Sequence, residues 1–191
     1  MAEVHLQHMT ADEFFVWQTK QDKLYELVDG QPVLPLKMMT GASRAHDRVV
    51  VNIIISLGNQ LRGGPCQPTT DDLAVRIPAG NIRRPDVTVE CGEGYKRDMA
   101  VVEPRVIIEV LSPSTMSFDR IRKLAEYQTI PSVSHILLVD TETPRIGMWS
   151  RANDRSWQQT NHDGLDATVA LPAIGAALAL ADVFEGLTFD A

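Results

Sequence analysis

The acid best placed to do chemistry is Glu109, set inside Val106-Ile107-Ile108-Glu109-Val110-Leu111. So short and apolar a run reads as a strand buried on both faces of a layered α/β sheet. A carboxylate there loses its hydration and is tolerated only when it is paired or bound to a metal. A second acid, Asp86, lies 23 residues upstream in Arg84-Pro85-Asp86-Val87-Thr88-Val89. That separation suits two adjacent strands and their loop, whose facing Cβ atoms lie about 4.5–5.5 Å apart. Two carboxylates so placed can share a hard cation. Mg²⁺ suits them, because it takes one or two carboxylates and keeps waters and substrate phosphate as its other ligands. Taken alone, Asp86 is strand-end punctuation after a proline, and Glu109 could be the partner of a buried arginine. Together they point to function.

Asp119, Lys123 and Tyr127 follow at i, i+4 and i+8 and share one helix face. In isolation Asp119 and Lys123 would be an exposed pair worth a few tenths of a kcal/mol. One strand-to-helix turn past Glu109, however, the Lys123 ammonium could reach back over the strand end. There it could position a water and offset charge in a phosphoryl transition state. Glu26, in Leu24-Tyr25-Glu26-Leu27-Val28, is a third acid, and strand alternation by itself turns it to solvent. His46 reads as a capping or surface residue, Cys91 and His135 as packing residues.

These side chains need a scaffold. Thr10-Ala11-Asp12-Glu13 is a capping box that opens a first helix of about ten residues. Tyr25–Val28 and Gln31–Leu34 flank Asp29-Gly30, the signature of a type I′ hairpin, and Pro32 makes its strand an edge. From about Ser43 to Leu61, Val49, Val50, Ile53, Ile54 and Leu57 recur at helical spacing. Strands follow near 73–77, 86–90 and 106–111, a helix at 117–129, strands at 135–139 and 145–150, and a β-rich tail with a helical turn near 181–187. The pattern is α/β, with a mixed sheet flanked by helices, in one domain over residues 1–191.

A fraction of 44% hydrophobic and 23% charged residues is ordinary for a globular protein. No run approaches the eighteen or so apolar residues that span a bilayer, so no membrane partner is expected. Met1–His5 lacks the features of a signal peptide. Cys66 and Cys91 look too few and too isolated for a disulfide framework, which makes a reducing cytoplasm the expected location. A net charge of −7 argues against nonspecific coating of nucleic acid. Arg76–Lys123 nevertheless holds nine basic against seven acidic residues, while the remainder carries −9. The candidate site lies in the one cationic stretch, although an excess of two does not make a polyanion site.

Tyr25-Glu26-Leu27-Val28-Asp29-Gly30, His46, Arg84-Pro85-Asp86-Val87 and Glu109-Val110-Leu111-Ser112-Pro113-Ser114-Thr115, with Asp119, Lys123 and Tyr127, resemble the Uma family of restriction endonucleases. That family belongs to the PD-(D/E)XK superfamily, and the resemblance runs from about Tyr25 to Val139. It implies a restriction-endonuclease-like core and Mg²⁺-dependent cleavage of DNA, with Mn²⁺ as a substitute. Asp86 and Glu109 match the metal-binding acids, and Glu26 matches a glutamate that completes the site. The superfamily's usual lysine, two residues after the second acid, is replaced by Leu111, and Lys123 on the helix stands in for it. The implied ligands are Glu26, Asp86, Glu109 and the Val110 carbonyl, with Arg84 and Arg120 on phosphates. The main alternative is a nucleic-acid-binding or regulatory module that keeps the fold without hydrolysis. A weaker one is an enzyme acting on a small phosphoester. A homodimer is expected, because such folds pair to address both strands and the apolar tail from Ala167 to Leu187 offers surface beyond the needs of a core.

Overall fold

The computed structural model describes residues 8–35, 43–111 and 117–189. Thr10 caps α1 (Ala11–Gln18) with the expected box: its hydroxyl accepts from the Glu13 N–H, and Glu13 Oε2 accepts from the Thr10 N–H at 2.8 Å. The chain then runs β1 (Glu26–Val28), β2 (Gln31–Val33), α2 (Arg44–Gln60), β3 (Gln67–Thr70), β4 (Val75–Arg76), β5 (Ile82–Arg83), β6 (Val87–Glu90) and β7 (Pro104–Leu111). After α3 (Ser117–Gln128) come β8 (His135–Asp140), β9 (Arg145–Arg151), β10 (Trp157–Asp163), β11 (Thr168–Leu171), β12 (Ala176–Ala179) and the short α4 (Leu180–Val183).

The Asp29-Gly30 turn has φ of 50° and 73°, the left-handed pair a type I′ hairpin requires. Pro32 does lie on an edge strand, in a four-stranded sheet ordered β2-β1-β5-β4 that packs on Phe14 and Phe15 of α1. The principal sheet is ordered β10-β9-β8-β7-β6-β3. β7 and β8 are parallel because α3 crosses between them, and β6 pairs antiparallel with β7, so the sheet is mixed.

Alternation along β7 divides the molecule into layers. Val106, Ile108 and Val110 pack with Leu137 and Val139 of β8 under Val49, Ile53 and Leu57 of α2. Ile107 and Ile136 point the other way, against Tyr127, Ile130 and Val133 at α3. Glu109 follows Ile107 in the alternation and so faces α3.

Three expectations change. β3 and β5 were not foreseen: Gln67-Pro68-Thr69-Thr70 has no apolar alternation because it is an edge paired to β6, and β5 is two residues long. Cys66 and Cys91 are not isolated, since the Gln67↔Glu90 register sets them opposite each other, and they form a disulfide. The apolar tail is not spare surface either. Val169, Leu171, Leu178, Leu180, Val183 and Phe184 belong to the α2 core, and Asn52 Nδ2 donates to the carbonyls of Val183 and Glu185, each at 3.0 Å.

Ile53 is fully buried between α2 and the sheet, whereas Ile55 is 56% exposed. Ile53→Ala should therefore cost about 2–5 kcal/mol in urea unfolding. Ile55→Ala should stay within about 0.5 kcal/mol.

Candidate active site

At the C-terminal end of β7, Glu109 meets the face of α3 that carries Lys123 and Tyr127. The Lys123 ammonium lies 3.6 Å from Glu109 Oε1 and 3.0 Å from Glu26 Oε1. The Tyr127 hydroxyl donates to Glu109 Oε1 at 2.6 Å. Glu109, Val110, Arg120, Lys123 and Tyr127 help line a cavity of about 40 Å³, room for a few water-sized groups. The segment 112–116, which follows Leu111 and includes part of the family motif, lies outside the described residues.

Asp86 approaches the same strand end from the α2 side. Its Oδ2 accepts from the Val110 N–H at 2.8 Å, and His46 Nε2 lies 3.3 Å from its Oδ1. In an extended residue N–H and C=O point to the same neighbour, so the Val110 carbonyl faces Asp86 as well. Asp86 does not line the Lys123 cavity. Glu109 and Lys123 thus come together directly, and Asp86 joins them through the backbone one residue on.

Glu26 is buried, not turned to solvent. Arg83 Nη1 holds its Oε2 at 2.9 Å, while the Arg84 N–H at 3.1 Å and Lys123 share its Oε1. With both oxygens so engaged, Glu26 anchors the Arg83 and Lys123 cations. Burial pushes its pKa up, but Lys123 and Arg83 outweigh that and hold it below the ordinary carboxylate value. Repulsion between acids is thus relieved at Glu26 by the protein's own cations. For Lys123, burial lowers the pKa but Glu109, Glu26 and Asp119 raise it well above the ordinary value, so it stays an ammonium. Burial first, then the charges of Glu109 and Glu26, pushes the Tyr127 phenol well above its ordinary value, so it remains a donor.

A family model described as "Putative restriction endonuclease" (Uma2) matches residues 11–181. The chain belongs to the Uma2 family. An uncharacterized Synechocystis sp. protein is 30% identical over 183 residues, covering 95% of this chain and 94% of that one. A second is 29% identical over 165 residues, covering 84% and 91%. The crystal structure of an Anabaena variabilis protein described as "a putative nuclease belonging to DUF820" superposes with a TM-score of 0.71 at 15% identity, covering 92% of this chain and 97% of that one. The Uma2 chain therefore has a restriction-endonuclease-like fold, and family and fold together support a nuclease function. Among its described residues, no helix is long and apolar enough to cross a membrane.

Two arginines in this Uma2 protein depart from expectation. Arg84 is 1% exposed, and its guanidinium donates to the carbonyls of Tyr25 at 2.9 Å, Asp71 at 2.8 Å and Asp72 at 2.9 Å. It fastens loops and is not available to phosphates. Arg83, which the sequence did not single out, is equally buried and ties Glu26 to Glu126, whose Oε2 accepts from its Nε at 2.6 Å. Glu126 also accepts from Asn81 at 2.8 Å and Arg122 at 3.1 Å. A signal for Arg83 existed: a guanidinium beside Ile82, ahead of an apolar strand, must find carboxylates if it is buried. Arg120 is exposed at the cavity. His46 is buried on Asp86 and is neither a capping nor a surface residue.

Removing Arg83 takes a buried cation from both Glu26 and Glu126, so Arg83→Ala should destabilise by about 3–5 kcal/mol, measured by denaturant unfolding. The folded pKa of Glu26 lies below its ordinary 4.5, so its ionic contribution is complete above that value and is lost as pH falls through the folded pKa. The stability gap between wild type and Glu26→Gln should accordingly be full at neutral pH and close on acidification below 4.5.

Proposed function

We propose that this protein is a metal-dependent DNA endonuclease that hydrolyses phosphodiester bonds, with Asp86, Glu109 and Lys123 as its catalytic groups and Mg²⁺ or Mn²⁺ as its cofactor. The observation that carries this reading is the Lys123 ammonium held beside Glu109 by Glu26. A lysine on the helix thus reaches the strand end where Leu111 replaces the expected in-strand one.

The donor set fits a hard cation. Among the described residues no group of three His, Cys, Asp or Glu side chains is placed to hold a metal. Mg²⁺, however, is met by one or two carboxylates and takes its remaining ligands from water and phosphate. Asp86, Glu109 and the Val110 carbonyl supply such a set. When bound there, the ion would polarise the phosphoryl oxygen and acidify a water.

The chain's own groups have separable tasks. Lys123 stays protonated, so it cannot serve as a base and acts by orienting the water and offsetting charge on the transferring phosphoryl group. Glu26 keeps the ammonium from swinging away. Tyr127 and the Val110 amide fix the rotamers of Glu109 and Asp86, the preorganisation a site needs if reaction is not to wait on reorientation. Arg120 lies at the cavity and is assigned to phosphate. A DNA substrate fits a cytoplasmic location, while the Cys66–Cys91 disulfide is of a kind rare in reducing compartments. A homodimer would address both strands, although the tail no longer argues for one.

Supercoiled plasmid should be nicked in Mg²⁺ or Mn²⁺ and not in EDTA. Glu109→Ala and Lys123→Ala should each lower the rate by at least about 10²-fold, with far-ultraviolet circular dichroism verifying that both variants fold. Binding of DNA without cleavage in either metal would favour the noncatalytic module instead. Metal should also raise the wild-type melting temperature through its linkage to folding and leave Glu109→Ala flat. An equal rise in both would remove Glu109 from the ligand set.

A further inference from the structure

The cavity beside Lys123, at about 40 Å³, is too small for a nucleotide, so a polymeric substrate needs an open approach. α2 begins at this end of the sheet, and its first turns carry more than His46. Arg44, Ala45 and Arg48, with Thr141, Glu142 and residues 186–189, line an open groove of about 670 Å³. Arg44 and Arg48 are both exposed and stand one turn apart, about 6 Å along the helix. Arg83 and Arg122, by contrast, are committed to internal carboxylates and Arg84 to carbonyls.

Two contacts join this groove to the site. Thr141 Oγ1 donates to the Leu111 carbonyl at 2.8 Å, and Leu111 is also a wall of the Lys123 cavity. On the other flank, His46 follows Ala45 directly and reaches Asp86. The wall at 186–189 is set by the two bonds from Asn52 to the carbonyls of Val183 and Glu185. The groove is therefore built from docked elements, tied to Leu111 through Thr141 and to Asp86 through His46.

We propose that this groove seats the DNA backbone on the Asp86 side of the site, with Arg44 and Arg48 binding neighbouring phosphates; this rests on the nuclease reading above. Guanidinium forks match phosphate oxygens in pairs. In a chain of net charge −7, attraction to a polyanion has to be local, and Glu142 at the rim confines it further. These two arginines take the role that Arg84, being buried, cannot fill.

The test uses the full chain and a fluorescein-labelled DNA duplex, with binding read by anisotropy in EDTA over a salt series. Arg44→Ala and Arg48→Ala should each weaken binding severalfold and reduce the slope of log K against log salt by about one. Arg62→Ala, exposed at the opposite end of α2 from Arg44, should change neither. In Mg²⁺ the two groove variants should raise KM for nicking and leave kcat unchanged. Wild-type slopes in both variants, or no binding of the duplex by the wild type, overturns the proposal. Groove-dependent binding without nicking in Mg²⁺ or Mn²⁺ upholds the groove and overturns the nuclease reading. Nicking with an unaltered KM does the reverse.

Discussion

A guanidinium and an ammonium taken out of water and shared among three carboxylates organise this molecule. Arg83 and Lys123 both hold Glu26, Arg83 reaches on to Glu126, and Lys123 reaches on to Glu109. Each ion would be costly to bury alone, and each is tolerated only because its neighbours are in place. The group links the first hairpin, β5, β7 and α3, four elements far apart in sequence. Arg122 extends it to Asp29 in the hairpin turn. Any element that moved would leave a charge unpaired, so the network specifies one arrangement of the α3 face against the sheet.

The same network holds Glu26 and Glu109 on either side of Lys123. Acids needed at one point repel one another, and Lys123 supplies fixed positive charge between two of them. Asp86 is handled differently: an amide and an imidazole meet it, not a formal pair of cations. The side facing α3 is therefore held by the ammonium and guanidinium, and the Asp86 side by a backbone amide and an imidazole. Part of the basic charge read from 76–123 is internal, since Arg83 and Lys123 serve the network and Arg84 serves loop carbonyls. Counting charge along a chain cannot separate a buried guanidinium from one that meets solvent.

Some features were legible because they are local. The Thr10 capping box, the Asp29-Gly30 hairpin, the stripe Val49, Ile53, Leu57 on α2 and the apolar β7 run each state their conformation within a few residues. The spacing of Asp119, Lys123 and Tyr127 likewise set them on one helix face. In the folded chain Glu109 leaves the α2 core, since its neighbours Ile108 and Val110 enter it. What failed depended on partners remote in sequence: the Cys66–Cys91 bond, the Arg84 carbonyls, the His46–Asp86 contact and the use of the apolar tail.

The sequence by itself determined most of the elements, the two strand-borne acids and the family motif, because periodicity, caps and turn chemistry act over one to three turns of chain. Only the tertiary structure decided which charges pair. Glu26 reads as a solvent-facing strand residue or a metal ligand until Arg83 and Lys123, 57 and 97 positions away, are brought to its two oxygens. Arg83 and Arg84 are adjacent in sequence and equally buried, yet one serves the carboxylates of the site and the other the carbonyls of loops. Burial and partners are properties of packing. They follow from how β5, β7 and α3 converge, and no window of residues contains that convergence.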